Sequence, residues 1–331
     1  MGQPSAATQG RAKTHRAPWV RDITRDAIRH FAWGIGDANP LWLDRAHARQ
    51  SRHGSLLAPP CFAYALHETS VAPGMAERAR VYRSVQWTWF DVLREGLCLA
   101  VAAHGEHRDR ADGDVEQLGH VEFTRGGAPV ARARSSVLRP VRPLPTPDAE
   151  PRYEAKELAE IEATILMERR RGSAPRYWED TREGERLGPL LKGPLSIMDV
   201  VAWVAGAQGH PEASDDTLSD GGLSSQQPTG PQQVAWACQL VTDWMGDEAL
   251  LHRLEVSLGE TPQLGSTTRW QGTVTHLWRE AEVPLVTLAL GASDRRGRVF
   301  ARGTATVILP SREYGPVKLP VKRRFVRPGE E

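Results

Sequence analysis

Residues 230–245, GPQQVAWACQLVTDWM, read as a helix that is apolar on nearly every side. Such a helix has no face to give to water and needs a surface that covers it almost all round. The chain that follows supplies one. Four segments of strand character come next: HRLEVSLGE (252–260), STTRWQGTVTHL (266–277), PLVTLALGAS (284–293) and VFARGTATVILP (299–310). Upstream, LSIMDVVAWVAG (195–206) reads as a helix, and a Gly/Ser/Asp-rich loop runs from it to about Thr229.

The first half of the chain follows the same plan. ITRDAIRHFAW (23–33) is a helix with Thr24 as its N-cap. A polar, turn-rich segment leads to APPCFAYAL (58–66), where Pro59 and Pro60 open an apolar helix. Strands follow at VYRSVQWTWFDV (81–92), LCLAVAAHGEH (97–107), EQLGHVEFTR (116–125) and PVARARSSVLRP (129–140), with Gly126 and Gly127 as a hairpin turn before the last. Phe31 matches Trp203, Gly96 matches Gly265, and Ala131-Arg132 matches Ala301-Arg302, at offsets of 172, 169 and 170 residues. Three matches at nearly one offset, in one order of elements, indicate two copies of one domain. A curved antiparallel sheet wrapped over an apolar helix is the hot-dog arrangement. The expected fold is therefore α+β, a double hot-dog.

The expected boundaries are a leader at 1–17, an N-terminal hot-dog at 18–140, a proline-rich linker with a connecting helix at 141–175, a C-terminal hot-dog at 176–313 and a basic tail at 314–331. With 42 Lys+Arg against 41 Asp+Glu, the formal charge of +1 offers no field for nucleic acid. No stretch approaches the ~20 apolar residues of a membrane span, and the N-terminus lacks the apolar core of a secretory signal. Cys61, Cys98 and Cys238 are odd in number and far apart, as in a reducing cytoplasm.

Residues 31–44, FAWGIGDANPLWLD, resemble the hydratase signature of the MaoC-like dehydratase family, roughly A-x-S-G-D-x-N-P-x-H-x-D, through Gly36, Asp37, Asn39, Pro40 and Asp44. SRHGSLLAPPCF (51–62), RGSAPRYWED (171–180), LLKGPLSIMD (190–199) and GPQQVAWACQLVTDWMGD (230–247) extend the likeness to two-domain members, from about residue 18 to 313. The resemblance implies reversible hydration of a trans-2-enoyl thioester to the (R)-3-hydroxyacyl thioester. The substrate would be an acyl-CoA or an acyl carrier protein thioester, and no cofactor or metal is implied. An aspartate and a histidine five residues on would hold the water, and a helix-start N–H would polarise the thioester carbonyl.

Two of the three groups are replaced in the first half. Trp42 stands at the histidine position, and an indole only donates. Pro60 stands at the helix start and has no N–H. In the second half Gly230 keeps the helix-start position, but neither register yields an Asp/His pair, and His210 is the nearby base. The candidate catalytic residues are thus Asp37 and His210, with Asn39, Trp42 and Gly230 as substrate contacts. A second reading is a catalytically silent hot-dog that binds an acyl thioester or completes a hetero-oligomer with an active hydratase. A third is another reaction on the same scaffold in secondary metabolism. The chain by itself would be a homodimer or part of a hetero-oligomer with another hot-dog protein.

Three other features carry alternatives. HGEHRDRADGD (104–114) gathers metal-ligand types but reads as a solvated strand-to-strand turn. Trp87, Trp89, Trp236 and Trp244 pack a core or line a tunnel. Arg169 to Arg171 close a helix C-terminus or meet phosphates.

Overall fold

The computed structural model describes residues 22–72, 74–75, 77–142, 152–208, 229–260 and 262–325. The expected leader, part of the linker and His210 lie outside the described residues. The first four strands are β1 (Val81–Trp89), β2 (Ala100–Asp109), β3 (Val115–Arg125) and β4 (Ala128–Arg139). The second set is β5 (Arg186–Lys192), β6 (Leu250–Leu258), β7 (Thr268–Glu280), β8 (Val283–Ser293) and β9 (Val299–Ile308). They form one nine-stranded antiparallel sheet in the order β2-β3-β4-β1-β6-β9-β8-β7-β5.

That order displays the duplication. β2-β3-β4-β1 on one side of the β1–β6 seam is matched by β7-β8-β9-β6 on the other. At the seam Val85 faces Val256 and Gln86 faces Glu255, so a two-fold axis passes between these pairs, as an offset of about 170 residues requires. Among the described residues the counterpart of β5 in the first half is the single bridge Asp22–Cys98, which matches Lys192–Thr268 at the repeat offset of 170. The Gly188-Pro189 of β5 reads as a strand breaker, and an edge strand is where a sheet tolerates proline.

The helices meet across the same axis. α1 (Arg25–Gly34) is capped by the Thr24 side chain, which accepts from the Ala27 N–H at 3.1 Å. α6 (Ile197–Trp203) is its repeat, and the matched residues Phe31 and Trp203 touch edge to face at 5.7 Å. Two glycines permit the approach. A Cβ on Gly34 would lie 2.8 Å from the Ala202 carbonyl oxygen, and one on Gly206 would lie 2.4 Å from that of His30. Gly206→Ala is therefore expected to cost about 1–3 kcal/mol through overpacking against backbone. A thermal melt indistinguishable from wild type would show that the crossing is looser than this.

α7 (Gly230–Met245) is the long covered helix, and every residue after Gly230 is buried. Its expected partner in the first half is much shorter, a 3-10 turn at Pro60–Phe62 running into α4 (Ala63–Leu66). Beyond it the chain crosses the sheet extended, over a track of glycine. Cβ atoms on Gly119 and Gly105 would fall 2.1 Å from the Thr69 carbonyl oxygen and 2.4 Å from that of Val71. The Ser135 hydroxyl donates to the Thr69 carbonyl at 2.8 Å and ties the segment down.

Trp87, Trp89, Trp236 and Trp244 are buried in the core. Trp87 and Trp89 are fully buried and stack with centroids 5.3 Å apart. Cys61 and Cys238, distant in sequence, are buried neighbours, and burial pushes the Cys61 thiol well up, which keeps it unreactive. The expected basic tail is anchored as far as Phe325. Val317, Val321 and Phe325 pack on Leu250, Leu285 and Ile308. The Phe325 N–H donates to His252 Nε2 at 3.0 Å, while Nδ1 of the same ring bonds the Trp89 carbonyl at 2.9 Å. Among the described residues no helix is long and apolar enough to cross a membrane.

Candidate functional site

The loop that leaves α1 holds the motif residues. Gly36 takes φ 63°, which lets the chain turn back so that the Asp37 N–H reaches the Ala32 carbonyl at 2.8 Å. Asn39 caps α2 (Pro40–Leu43), its side-chain oxygen accepting from the Leu41 N–H at 3.0 Å. Asp44 caps α3 (Arg45–Gln50), accepting from the Ala46 N–H at 2.7 Å. Much of the hydratase-like pattern is therefore spent on stopping and starting short helices.

Asp37 is 1% exposed and both of its oxygens are engaged. Oδ2 accepts from the Trp42 indole N–H at 2.8 Å, and Oδ1 accepts from the Asn39 N–H at 3.0 Å. Trp42 thus occupies the place of the expected imidazole and points its one donor at the carboxylate. Trp42, Asn39, Pro60 and Trp89 line a small cavity of about 30 Å³. Pro60 contributes its carbonyl there, which accepts from the Trp89 indole at 3.0 Å.

The structure adds partners that the sequence reading missed. Arg170 sits between three acids, with Nε 3.8 Å from Asp37 Oδ1 and 3.3 Å from Asp243 Oδ1, and a guanidinium nitrogen 2.6 Å from Glu168. The buried Lys192 ammonium donates to the carbonyls of Ile35 at 2.8 Å and Gly36 at 3.0 Å. The Gln239 amide donates to Glu168 at 3.1 Å. Burial pushes Asp37 upward against its hydrogen bonds, and burial beside the Asp37 carboxylate pushes Asp243 up to about 9. Lys192 is pushed down by burial, with Glu168, Asp37 and Asp243 opposing. Burial and the Asp37 charge thus favour the neutral form of Asp243, and Arg170 opposes them. One signal in the sequence could have found α7's part in this network: Gln239 and Asp243 are four apart, so they share one face of an otherwise apolar helix.

Gly230 lies elsewhere, at the first position of α7, whose cap is Thr229. A Cβ there would come within 2.4 Å of the Tyr82 Cβ, so only glycine fits. The Tyr82 hydroxyl lies 2.9 Å from Thr69 Oγ1 and 3.2 Å from the Tyr64 hydroxyl. Asp37, Asn39 and Trp42 are thus brought together, and Gly230 belongs to the other half's helix start. A histidine–carboxylate pair does join the halves, but it is His47 with Asp247, at 2.6 Å.

Arg169 to Arg171 do not terminate a helix. α5 (Ala155–Leu166) ends before them, with no basic residue in its last turn. Together with Arg176, Arg186 and Asp243 they line a cleft of about 540 Å³. Arg169, Arg171 and Arg186 are exposed, whereas Arg176 is buried, paired with Glu185 and stacked on Trp244 at 4.3 Å.

Comparison with known proteins gives the following. Residues 11–113 match the FAS1-like, dehydratase domain region. A UPF0336 protein of Thermobifida fusca is 37% identical over 65 residues, which are 20% of this chain and 43% of that protein. The match therefore spans less than half the length of that curated relative. A solved MaoC-like dehydratase superposes with a TM-score of 0.65 at 16% identity, over 88% of this chain and 95% of that one. A conserved hypothetical protein of Mycobacterium tuberculosis, described as having a double hotdog fold, superposes with a TM-score of 0.52 at 12% identity, over 87% and 92%. The chain is a double hot-dog protein with the fold of the MaoC-like dehydratases, and residues 11–113 are similar to the FAS1-like dehydratase domain region.

Proposed function

We propose that this chain binds an acyl thioester, on coenzyme A or an acyl carrier protein, and that its first half does not hydrate it. The observation that carries the reading is the Trp42 indole bonded to Asp37, with the carboxylate 1% exposed. General acid–base catalysis needs a group within reach of substrate and able to take or give its proton. Asp37, 1% exposed and covered by Trp42, is out of reach of a substrate, and an indole cannot act as a base. The loop instead joins the halves through Arg170 and Lys192. Fold alone does not carry activity, so the site decides.

The arginine cleft suits the carrier's phosphates, because Arg169, Arg171 and Arg186 present exposed fork donors that form no salt bridge among the described residues. Arg170 holds the cleft's own acids, Glu168 and Asp243. Arg169→Glu together with Arg171→Glu is expected to weaken binding of acyl-CoA at least about tenfold, with a reduced salt dependence, by isothermal titration calorimetry. Unchanged affinity would place the carrier elsewhere.

A second reading is favoured by Gly230. A glycine N–H at the start of a long covered helix is where a thioester carbonyl would be polarised. On that reading the chain is an (R)-specific enoyl-thioester hydratase whose active half is the second, with His210 as the base. One assay separates the two: loss of enoyl absorbance with crotonyl-, octenoyl- and a bulky cyclic enoyl-CoA. We expect binding without turnover above background. Turnover lost in His210→Ala but kept in Asp37→Asn would establish the second reading. Turnover lost in Asp37→Asn would overturn the first. Turnover that appears only on adding a single-domain hot-dog hydratase would assign the chain the place of a silent partner.

A further inference from the structure

The stretch 104–114, expected as a polar turn, is mostly strand. His104 to Asp109 belong to β2, and only the residues between Asp109 and Val115 turn. His104 lies directly opposite His120 of β3 in the antiparallel ladder. Between His104 and Glu106, Gly105 faces the covering segment at Val71, so both flanking side chains project from the opposite face of the sheet. The two imidazole rings lie parallel, 2° apart in plane and 4.6 Å between centroids. One ligand atom from each of His104, Glu106 and His120 falls within 4.8 Å of the others.

We propose that His104, Glu106 and His120 form a binding site for a divalent transition-metal ion of the zinc, nickel or copper class. Directly opposed residues on antiparallel strands hold their Cβ atoms about 4.5–5.5 Å apart, which lets two imidazoles close on one ion. Two imidazoles and one carboxylate, with no thiolate, suit these borderline ions better than calcium or magnesium, which take all-oxygen sets. Three protein ligands leave coordination positions open. Glu106 and His120 line a groove of about 620 Å³ along the sheet, together with Arg134, Ser136 and Glu255.

Two cationic neighbours, Arg108 and Arg134, oppose the ion, and Arg134 does so by direct contact with His120. Arg134, across from His120 on β4, donates from Nε to His120 Nδ1 at 3.2 Å. A metal must displace that bond or approach the ring beside a guanidinium charge. Arg134 therefore tunes the affinity downward, and this gives the site a signature that a random surface cluster lacks: loss of a ligand and loss of the arginine act in opposite directions.

The test is isothermal titration calorimetry of the full chain with zinc chloride, repeated with nickel chloride, in a buffer free of chelators. Single-site binding is expected. It should weaken at least about tenfold in His104→Ala and in His120→Ala, since even supporting residues of metal sites commonly cost that much. It should tighten in Arg134→Gln. Circular dichroism melts confirm that the variants fold, which the surface position of all three favours. The absence of saturable binding, binding unchanged in both histidine variants, or weakening in Arg134→Gln would each overturn the proposal.

Discussion

Trp42→Ala should lower the unfolding free energy by about 3–5 kcal/mol, the range for emptying a large buried aromatic site. Trp42 is 3% exposed, and the cavity beside it is already closed down to about 30 Å³ by Pro60, Trp89 and Met245, so little can collapse into the space left behind. Alanine also strips Asp37 of its indole donor, at 2.8 Å, inside a site with almost no access to water. Trp42→Phe separates the two contributions. It retains most of the volume and removes only the donor, for an expected cost of about 1–3 kcal/mol. Urea denaturation of the three proteins measures both. Phenylalanine as stable as tryptophan would mean that the indole bond is incidental, and the structural reading of the loop would lose its main support.

The second large effect is a loss of stability in mild acid, centred on His252. Burial pushes this ring down to about 4 from 6.5; the Trp89 carbonyl, which accepts from Nδ1, opposes the shift, and the nearby charges of Arg253 and Arg324 add to it. The unfolded chain takes up a proton near pH 6.5 that the folded chain refuses, so the contribution is complete above that pH. It is lost as pH falls from about 6.5 to about 4, and it is level below. A difference of this size corresponds to about 3 kcal/mol. His53, also pushed down to about 4 by burial, adds in the same direction. Asp243, held up to about 9, acts oppositely over the same window. The informative quantity is therefore the difference in slope between wild type and His252→Gln, with melts taken from pH 4 to 7. Equal slopes would show that the ring titrates normally. An NMR titration of the wild-type imidazole gives the same answer without a variant. Protonation also removes the acceptor of the Phe325 N–H, so release of the C-terminal strap from the sheet should accompany the loss.

Some of the site was readable in advance because it depends on local chemistry. Asp37, Asn39 and Trp42 are close in sequence, and a turn between two caps brings them together whatever the rest of the chain does. That Trp42 is donor-only follows from its identity. That it turns inward and spends its donor on Asp37 follows from the packing of Pro60, Trp89 and Met245 around it, which comes from three distant segments. Lys192 and Asp243 carry no motif. They become functional neighbours of Asp37 because β5 and α7 of the second half close against the first half's loop.

The sequence alone determined the repeat, eight of the nine strands and the hot-dog class, since alternation, turn glycines and a helix apolar all round are imposed residue by residue; β5, broken by Gly188-Pro189, was not legible. The sequence also determined Thr24 as a cap and Gly230 as a helix start. The end of the first repeat's helix at Leu66 was also legible; only the tertiary structure shows where the chain goes next, over the track that Gly105 and Gly119 open. Only the fold, likewise, turned a polar run into an opposed histidine pair, because strand register is a property of two segments and neither contains it. The charged network between the halves belongs to the same class: burial sets its protonation, and burial exists only once the two copies have met.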